Sequence, residues 1–442
     1  MKRLFLFIIL LQLVVCTVKA DNQNGGKISK EQAIEDVDSL VYMLCEVHPN
    51  VFSMVTPTKF LMQVNAIKQS FRDSLTTLEL YQKVAPLVAS VGDGHTSLTF
   101  PFNDVFRKET PRFPLMVSVN SNDSTITTRG ALFGVPEGVK IVSINGIGSK
   151  EIIQNMMKYV SGERTFFKLT CVNNDFLAWF HMLYRANEYK IEYLENGKLT
   201  TKRLCSVSVI EKRNEMSKGL KEVEINNSVH YDILNKKAAL MNIPSFRSAN
   251  DMAKVCQTMV ADLNRKRIEN LIIDVRDNGG GTSMAVDTLL TYIANKPFMQ
   301  YEKVWAKITP TTQTMTRRPY NKGCFFGVNE EKIQPISDET KRFKGKVWVL
   351  MNHHTFSAAA SFVWTIKAFK IGTLVGEEAG GMNVAYGDVV SYALPHSKLH
   401  LGISFKRFWL YGADETNIHG ALPDIFAESD NALKVVLDKI HK

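Results

Sequence analysis

From about residue 228 to the C-terminus, short apolar runs alternate with amphipathic segments, and this alternation constrains the fold more than any other feature of the sequence. "KKAALMNIPSF" reads as a strand and "NDMAKVCQTMVADLNRKR" as a helix. "NLIIDVRDNGGG" is a strand running into glycines, and "SMAVDTLLTYIA" is the next helix. After an irregular stretch over residues 307–342 come the strand "KVWVLMN", a helix beginning at "SAAASF", and the strands "TLVGEE", "VVSYALP" and "LGISFKRF". Strands joined through helices cannot be hairpin neighbours, so the pattern predicts an α/β core around a largely parallel sheet. "NALKVVLDKIHK" closes the chain as a helix with basic residues in its last turn, where the helix dipole favours them.

Upstream the pattern changes twice. Residues 27–52, "KISKEQAIEDVDSLVYMLCEVHPNVF", have a capping serine at Ser29, acids in the first turns and apolar residues three and four apart, predicting an amphipathic helix. A second helical stretch ends in the glycine turn "VGDGHTSL". From residue 113 to 207 the runs are short and alternating, with a hairpin signal at "ENGK" and one helix-like segment, "SKEIIQNMMKYVSG". The predicted division is a leader over 1–20, a helical unit over 21–104, a β-rich domain over 105–207 and the α/β core over 208–442.

The leader, "MKRLFLFIILLQLVVCTVKA", has Lys2 and Arg3 ahead of an apolar run and Ala20 at a plausible cleavage point, the pattern of a secretory signal peptide. It predicts an exported protein, periplasmic or secreted. "LVVC" ending at Cys16 only loosely fits a lipid-attachment box, because Val15 stands where a small residue belongs. No later run reaches the ~20 apolar residues that cross a bilayer. Formal charge is +10, but the lysines and arginines are scattered, which argues against a nucleic-acid partner. Cys45, Cys171, Cys205, Cys256 and Cys324 show no metal spacing, so no metal or other cofactor is expected, and most read as buried thiols.

Three stretches carry chemistry. Ser357 opens a helix directly after a buried strand, where unpaired N–H groups and the helix dipole favour a developing negative charge. The N–H of Ala358 is then a candidate oxyanion donor. Read alone, Ser357 is better explained as a helix N-cap, and "TFSAA" lacks the glycines of a GxSxG elbow. The glycines of "DVRDNGGG" let the backbone approach another group closely, making Gly280 a second candidate donor, with Gly281 next after it and Asp274 or Arg276 bracing the loop. His95, between glycines in "GDGHTS", is a positioned histidine, with His353 and His354 as competitors for a base role.

In the order "GDGHTS", "DVRDNGGG", "TFSAAA", these stretches resemble the C-terminal processing (tail-specific) serine peptidases, and within them the branch containing the tricorn core. The resemblance extends from "HPNVF" to "GALPDI". It implies a ββα-spiral-like (ClpP/crotonase-like) α/β core with a nucleophilic Ser357, Gly280 at the oxyanion hole and a small, degenerate PDZ-like domain. The loop matching the lysine-bearing one of other branches, "GEEAGGMNVAYG", has no lysine. The resemblance therefore implies His95 as the base and Glu415, in "YGADETNIHG", as the acidic member, with Asp414 adjacent. PDZ recognition of a free C-terminus is not legible: "FGVPEGVKIVSINGI" matches only the end of such a domain.

The expected function is an exported serine endopeptidase acting on a peptide or protein substrate through an acyl-enzyme, the peptide binding by strand addition. Two other readings remain open at this point. One is a binding module of the same fold, catalytically weak or inactive, holding peptide or apolar ligand; the other is an esterase using the same residues.

Overall fold

The core sheet has six strands in the order His230–Ile233, Ala238–Asn242, Asn270–Asp274, Lys346–Met351, Thr373–Gly376 and Ile425–Phe426. The first pair is antiparallel and the other four are parallel. The structure, a computed structural model, describes residues 27–107, 109–219, 227–317 and 322–441; the leader, with Cys16, lies outside the described residues. Asn270–Asp274 is buried along its whole length, as a strand covered on both faces must be. Helices Ala249–Arg265, Ser283–Ile293 and Ala358–Ala368 cover one face and Ala432–His441 the other. Ile273 is fully buried here, and truncation to alanine costs about 2–5 kcal/mol.

A second sheet departs from the expected alternation. Tyr301–Ile308 pairs antiparallel with both Gly323–Val328 and His400–Leu410, and His400–Leu410 pairs in turn with Val384–Ala393. So "VVSYALP" and "LGISFKRF" form a hairpin in a separate antiparallel sheet, not further strands of the parallel one. The stretch read as irregular contains the helix Pro310–Thr316 and the edge strand Gly323–Val328. That strand escaped notice because Cys324, Phe325, Phe326 and Val328 are all exposed, which removes the alternation that marks a half-buried strand.

The N-terminal helix Lys30–Val47 begins at a full capping box, Ser29 with Gln32, and buries Val37, Leu40, Leu44 and Val47. Helix Thr77–Ala89 is capped the same way by Thr76 and Glu79 and leads into the "GDGHTS" turn. The turn is tied to the second sheet: Ser97 and Leu98 pair with Gly402 and Leu401. Residues 113–207 hold a separate sheet whose last hairpin, Glu188–Glu195 with Lys198–Cys205, turns at Asn196 and Gly197, both at positive φ. Helices Thr165–Asn174 and Phe176–Tyr184 lie in the same region. Phe176–Tyr184 is apolar almost all round, so periodicity does not announce it.

The cysteines correct an expectation. The five described ones are free, but Cys256 alone is buried; Cys45, Cys205 and Cys324 are exposed. Among the described residues no helix is long and apolar enough to cross a membrane.

Candidate active site

Strand Lys346–Met351 leaves the core sheet through "NHHTF". Thr355 Oγ1 donates to Val275 O at 3.0 Å, and Phe356 N–H to Asn278 O at 3.0 Å, which fixes this exit against the glycine loop. Ser357 then adopts φ +52°, ψ −125°, a conformation that costs a non-glycine residue about 1–3 kcal/mol. It sits at the N-cap position of helix Ala358–Ala368 but makes no capping hydrogen bond. Its Oγ instead lies 3.0 Å from His95 Nε2, across 262 residues of chain. The N-cap reading is thereby replaced: the side chain is turned away from the helix and toward an imidazole.

His95 is held by its own turn. Its backbone N–H donates to Asp93 Oδ1 at 2.9 Å, and its ring stacks on Phe356 with centroids 4.5 Å apart. Asp93 is fully buried and accepts at Oδ2 from Thr96 Oγ1 (2.5 Å), Ser404 Oγ (2.6 Å) and His48 Nε2 (3.2 Å). His48 Nδ1 accepts from Asn50 N–H at 3.1 Å, so its proton is on Nε2 and the neutral ring donates to the carboxylate. Burial by itself would raise the Asp93 pKa. The hydrogen bond from His48 and the close contact of the His95 ring outweigh it and hold the carboxyl well below the usual carboxylate range. For His95, burial disfavours the charged ring, but contact with Asp93 and the charges of Asp93, Glu163 and Asp388 prevail, so its pKa is raised.

The glycine loop approaches Ser357 closely. A Cβ on Gly280 would lie 2.6 Å from Ser357 Cβ and 2.9 Å from Ala358 N, and Gly280 has φ +108°. Only glycine fits. Its own N–H, however, donates to Asn278 Oδ1 at 2.8 Å, so the loop as it stands does not offer that group to an oxyanion. Ala358, the first residue of its helix, has an N–H with no intrahelical acceptor, directly beside Ser357. Asp274 and Arg276 brace the loop as expected, with contacts of 2.9 and 2.6 Å between them and Arg276 Nη1 on Ser429 O.

The other candidates are elsewhere. Glu415 is exposed, and its carboxylate accepts from Trp409 Nε1 at 2.8 Å and Arg407 Nη2 at 3.0 Å. Two nearby donors on the strand that precedes it claim it, and Arg407, Tyr386 and His48 lie in contact between it and the histidine loop. Asp414 caps its local turn by accepting from Thr416 N–H and Oγ1. His353 and His354 engage backbone carbonyls at Glu378 and Asp277.

Sequence reasoning missed Asp93 and Glu163. Asp93 is in the "GDGHTS" motif itself, two residues before the histidine, and that proximity was the available signal. Glu163 stands in "SGERT" with no motif around it. No group of three or more metal-ligating side chains occurs among the described residues.

Residues 237–426 match the family model Peptidase family S41. The chain is 22% identical over 213 residues to the tail-specific protease of Haemophilus influenzae (strain ATCC 51907 / DSM 11121 / KW20 / Rd). That match takes in 47% of this chain and 27% of the relative, so the chain spans about a quarter of the curated relative's length. In fold it is similar to mature CPAF, with TM-score 0.65 and 13% identity over 93% of this chain and 96% of that one. A mutant of CPAF gives TM-score 0.67 at 14% identity, over 93% and 96% of the two chains. The core of the chain thus matches the S41 peptidase family, and the chain is similar to a tail-specific protease.

Proposed function

We propose that Ser357 is the nucleophile and His95 its general base in an exported endopeptidase. The observation that carries this is the 3.0 Å contact between Ser357 Oγ and His95 Nε2, made by a serine in a strained backbone conformation at a helix N-terminus. Nε2 takes the hydroxyl proton as Oγ attacks the peptide carbonyl, and later delivers it to the leaving amine. The N–H of Ala358 faces the developing oxyanion. Gly280 N–H joins it once released from Asn278, and each such donor is worth about 3–4 kcal/mol in the transition state. The Asp93 carboxylate keeps the histidine loop in place through its four hydrogen bonds and favours the protonated ring. Glu415 supports Arg407 and has no direct part in proton transfer.

Export rests on the signal-peptide pattern of residues 1–20. Residues 105–207 form a degenerate PDZ-like domain in this reading; the sheet that ends in Glu188–Glu195 and Lys198–Cys205 supports it. The test is labelling of the chain from residue 21 onward with a fluorophosphonate probe, beside Ser357→Ala and His95→Ala, with casein hydrolysis as second readout. Labelling and hydrolysis that both variants abolish are expected. Equal labelling of wild type and Ser357→Ala would refute the assignment.

A further inference from the structure

His95 has an unsatisfied requirement. To accept from Ser357 at Nε2, the neutral ring must carry its proton on Nδ1, and that N–H then needs an acceptor. Nδ1 is buried and has no hydrogen-bond partner. The nearest carboxylate oxygen, Asp93 Oδ1, is 3.7 Å away and already accepts the His95 backbone N–H, while Oδ2 is saturated by three donors. Asp93 is committed to holding the loop.

Glu163 is complementary. Its Oε2 is buried and accepts no hydrogen bond. It lies against the same turn: a Cβ on Gly94 would be 3.3 Å from Oε2, 2.8 Å from the Phe356 ring and 3.2 Å from the Phe167 ring. Phe356 is the ring on which His95 stacks, and Phe167 stacks on Phe356 at 4.4 Å. A buried donor and a buried acceptor, both orphaned and both against one glycine turn, are each costly to leave unmade.

We infer that Glu163 is the positioning carboxylate of this site, receiving the Nδ1–H of His95 through one bridging water and so completing a Ser357–His95–Glu163 array. The inference rests on the Ser357–His95 reading and deepens it. When Ser357 Oγ attacks, its proton moves to Nε2. Nδ1 keeps its own proton, and the carboxylate of Glu163 stabilises the imidazolium without taking a proton. Glu163 comes from the loop between helices Ser149–Met157 and Thr165–Asn174, so the β-rich region supplies part of the site.

The ionisation of Glu163 is consistent with this. Burial, then the charge of Asp93, raises its pKa to about 7, while the charge of His95 and the backbone N–H groups of Glu163 and Gly94 oppose the rise. Cys171 and Tyr386 also face it, and Asp388 faces His95. Two groups this close titrate as a pair. Removing the Glu163 anion lowers the pKa of His95, so the acid limb of a pH–rate profile moves to lower pH.

The test measures inactivation by a fluorophosphonate probe at several probe concentrations, from about pH 5.5 to 9, for wild type, Glu163→Gln, Glu163→Asp and Glu415→Gln. In Glu163→Gln the maximal inactivation rate should fall at least about tenfold while half-saturation stays within about twofold, and the acid limb should move to lower pH. Glu163→Asp keeps the charge, so it should keep the limb near its wild-type position and regain part of the rate. Glu415→Gln should stay within about threefold of wild type. A Glu163→Gln rate within about twofold of wild type, or a fall with an unmoved acid limb that Glu163→Asp does not repair, overturns the inference alone. A wild type that does not label at Ser357 overturns the serine–histidine reading and this inference with it.

Discussion

Gly280→Ala tests how tightly the glycine loop is fitted to Ser357. A methyl there would sit 2.6 Å from Ser357 Cβ, 2.9 Å from Ala358 N and 3.0 Å from Phe356 O. Ordinary contact begins near 3.4 Å, so about 0.8 Å must be found. Two of the three obstacles are backbone atoms, so a side-chain rotation cannot supply it. Ser357 or the loop has to shift. The new residue would also hold φ +108°, costing about 1–3 kcal/mol, and overpacking adds about 1–3 kcal/mol. A displacement near 1 Å at a reacting atom costs on the order of 100-fold in rate. Gly279→Ala is the control, because nothing lies within 4 Å of a Cβ there. The assay is the rate of fluorophosphonate labelling at pH 8, with the midpoint of urea unfolding measured on the same samples. Gly280→Ala should label about 100-fold more slowly and unfold at lower urea, with Gly279→Ala near wild type in both. Gly280→Ala that labels within threefold of wild type would show that the close approach has no bearing on the serine.

Three further outcomes follow from the same geometry. Ser357→Gly should abolish labelling yet raise stability by about 1 kcal/mol or more, since glycine tolerates φ +52°; a lower unfolding midpoint would refute the strain argument. Asp93→Asn sets an amide N–H₂ against donors from Thr96, Ser404 and His48, and should destabilise by about 3–5 kcal/mol. Because the folded-state pKa of Asp93 is depressed, its contribution is present above the unfolded value near 3.9 and is lost as pH falls below it. The acid-unfolding profile of Asp93→Asn should therefore be flatter than that of wild type. Lys212 is buried, its Nζ donating to the carbonyls of Phe113 (2.7 Å) and Leu115 (3.1 Å), and burial followed by the charge of Arg112 pushes its pKa down to about 7. Between about 7 and the ordinary lysine value near 10.4 the unfolded chain binds the extra proton, so Lys212 makes stability rise with pH across that window. Urea midpoints of Lys212→Met should lose that rise.

Glu163 and Glu415 show where reading the sequence reaches its limit. By itself the sequence determined the strand–helix alternation of the core, the capping of helix Lys30–Val47 at Ser29, the Asn196–Gly197 hairpin, a glycine-rich strand end, and a serine that opens a helix. All of these are encoded within a few residues, because backbone preference, side-chain period and capping chemistry act locally. The antiparallel second sheet was not legible, since its edge strand Gly323–Val328 presents apolar side chains to solvent and so breaks the expected pattern. Nor was the role of the acids. Glu415 is drawn to Arg407 and Trp409 on the strand that precedes it, whereas Asp93 holds the histidine turn and Glu163 lies against it because the loops at 93–97 and 161–164 dock on the strand exit at 352–357. The meeting of His95 with Ser357 across 262 residues, and the choice of which carboxylate faces the ring, depend on packing between distant segments. No local pattern carries that information, so only the tertiary structure decided it.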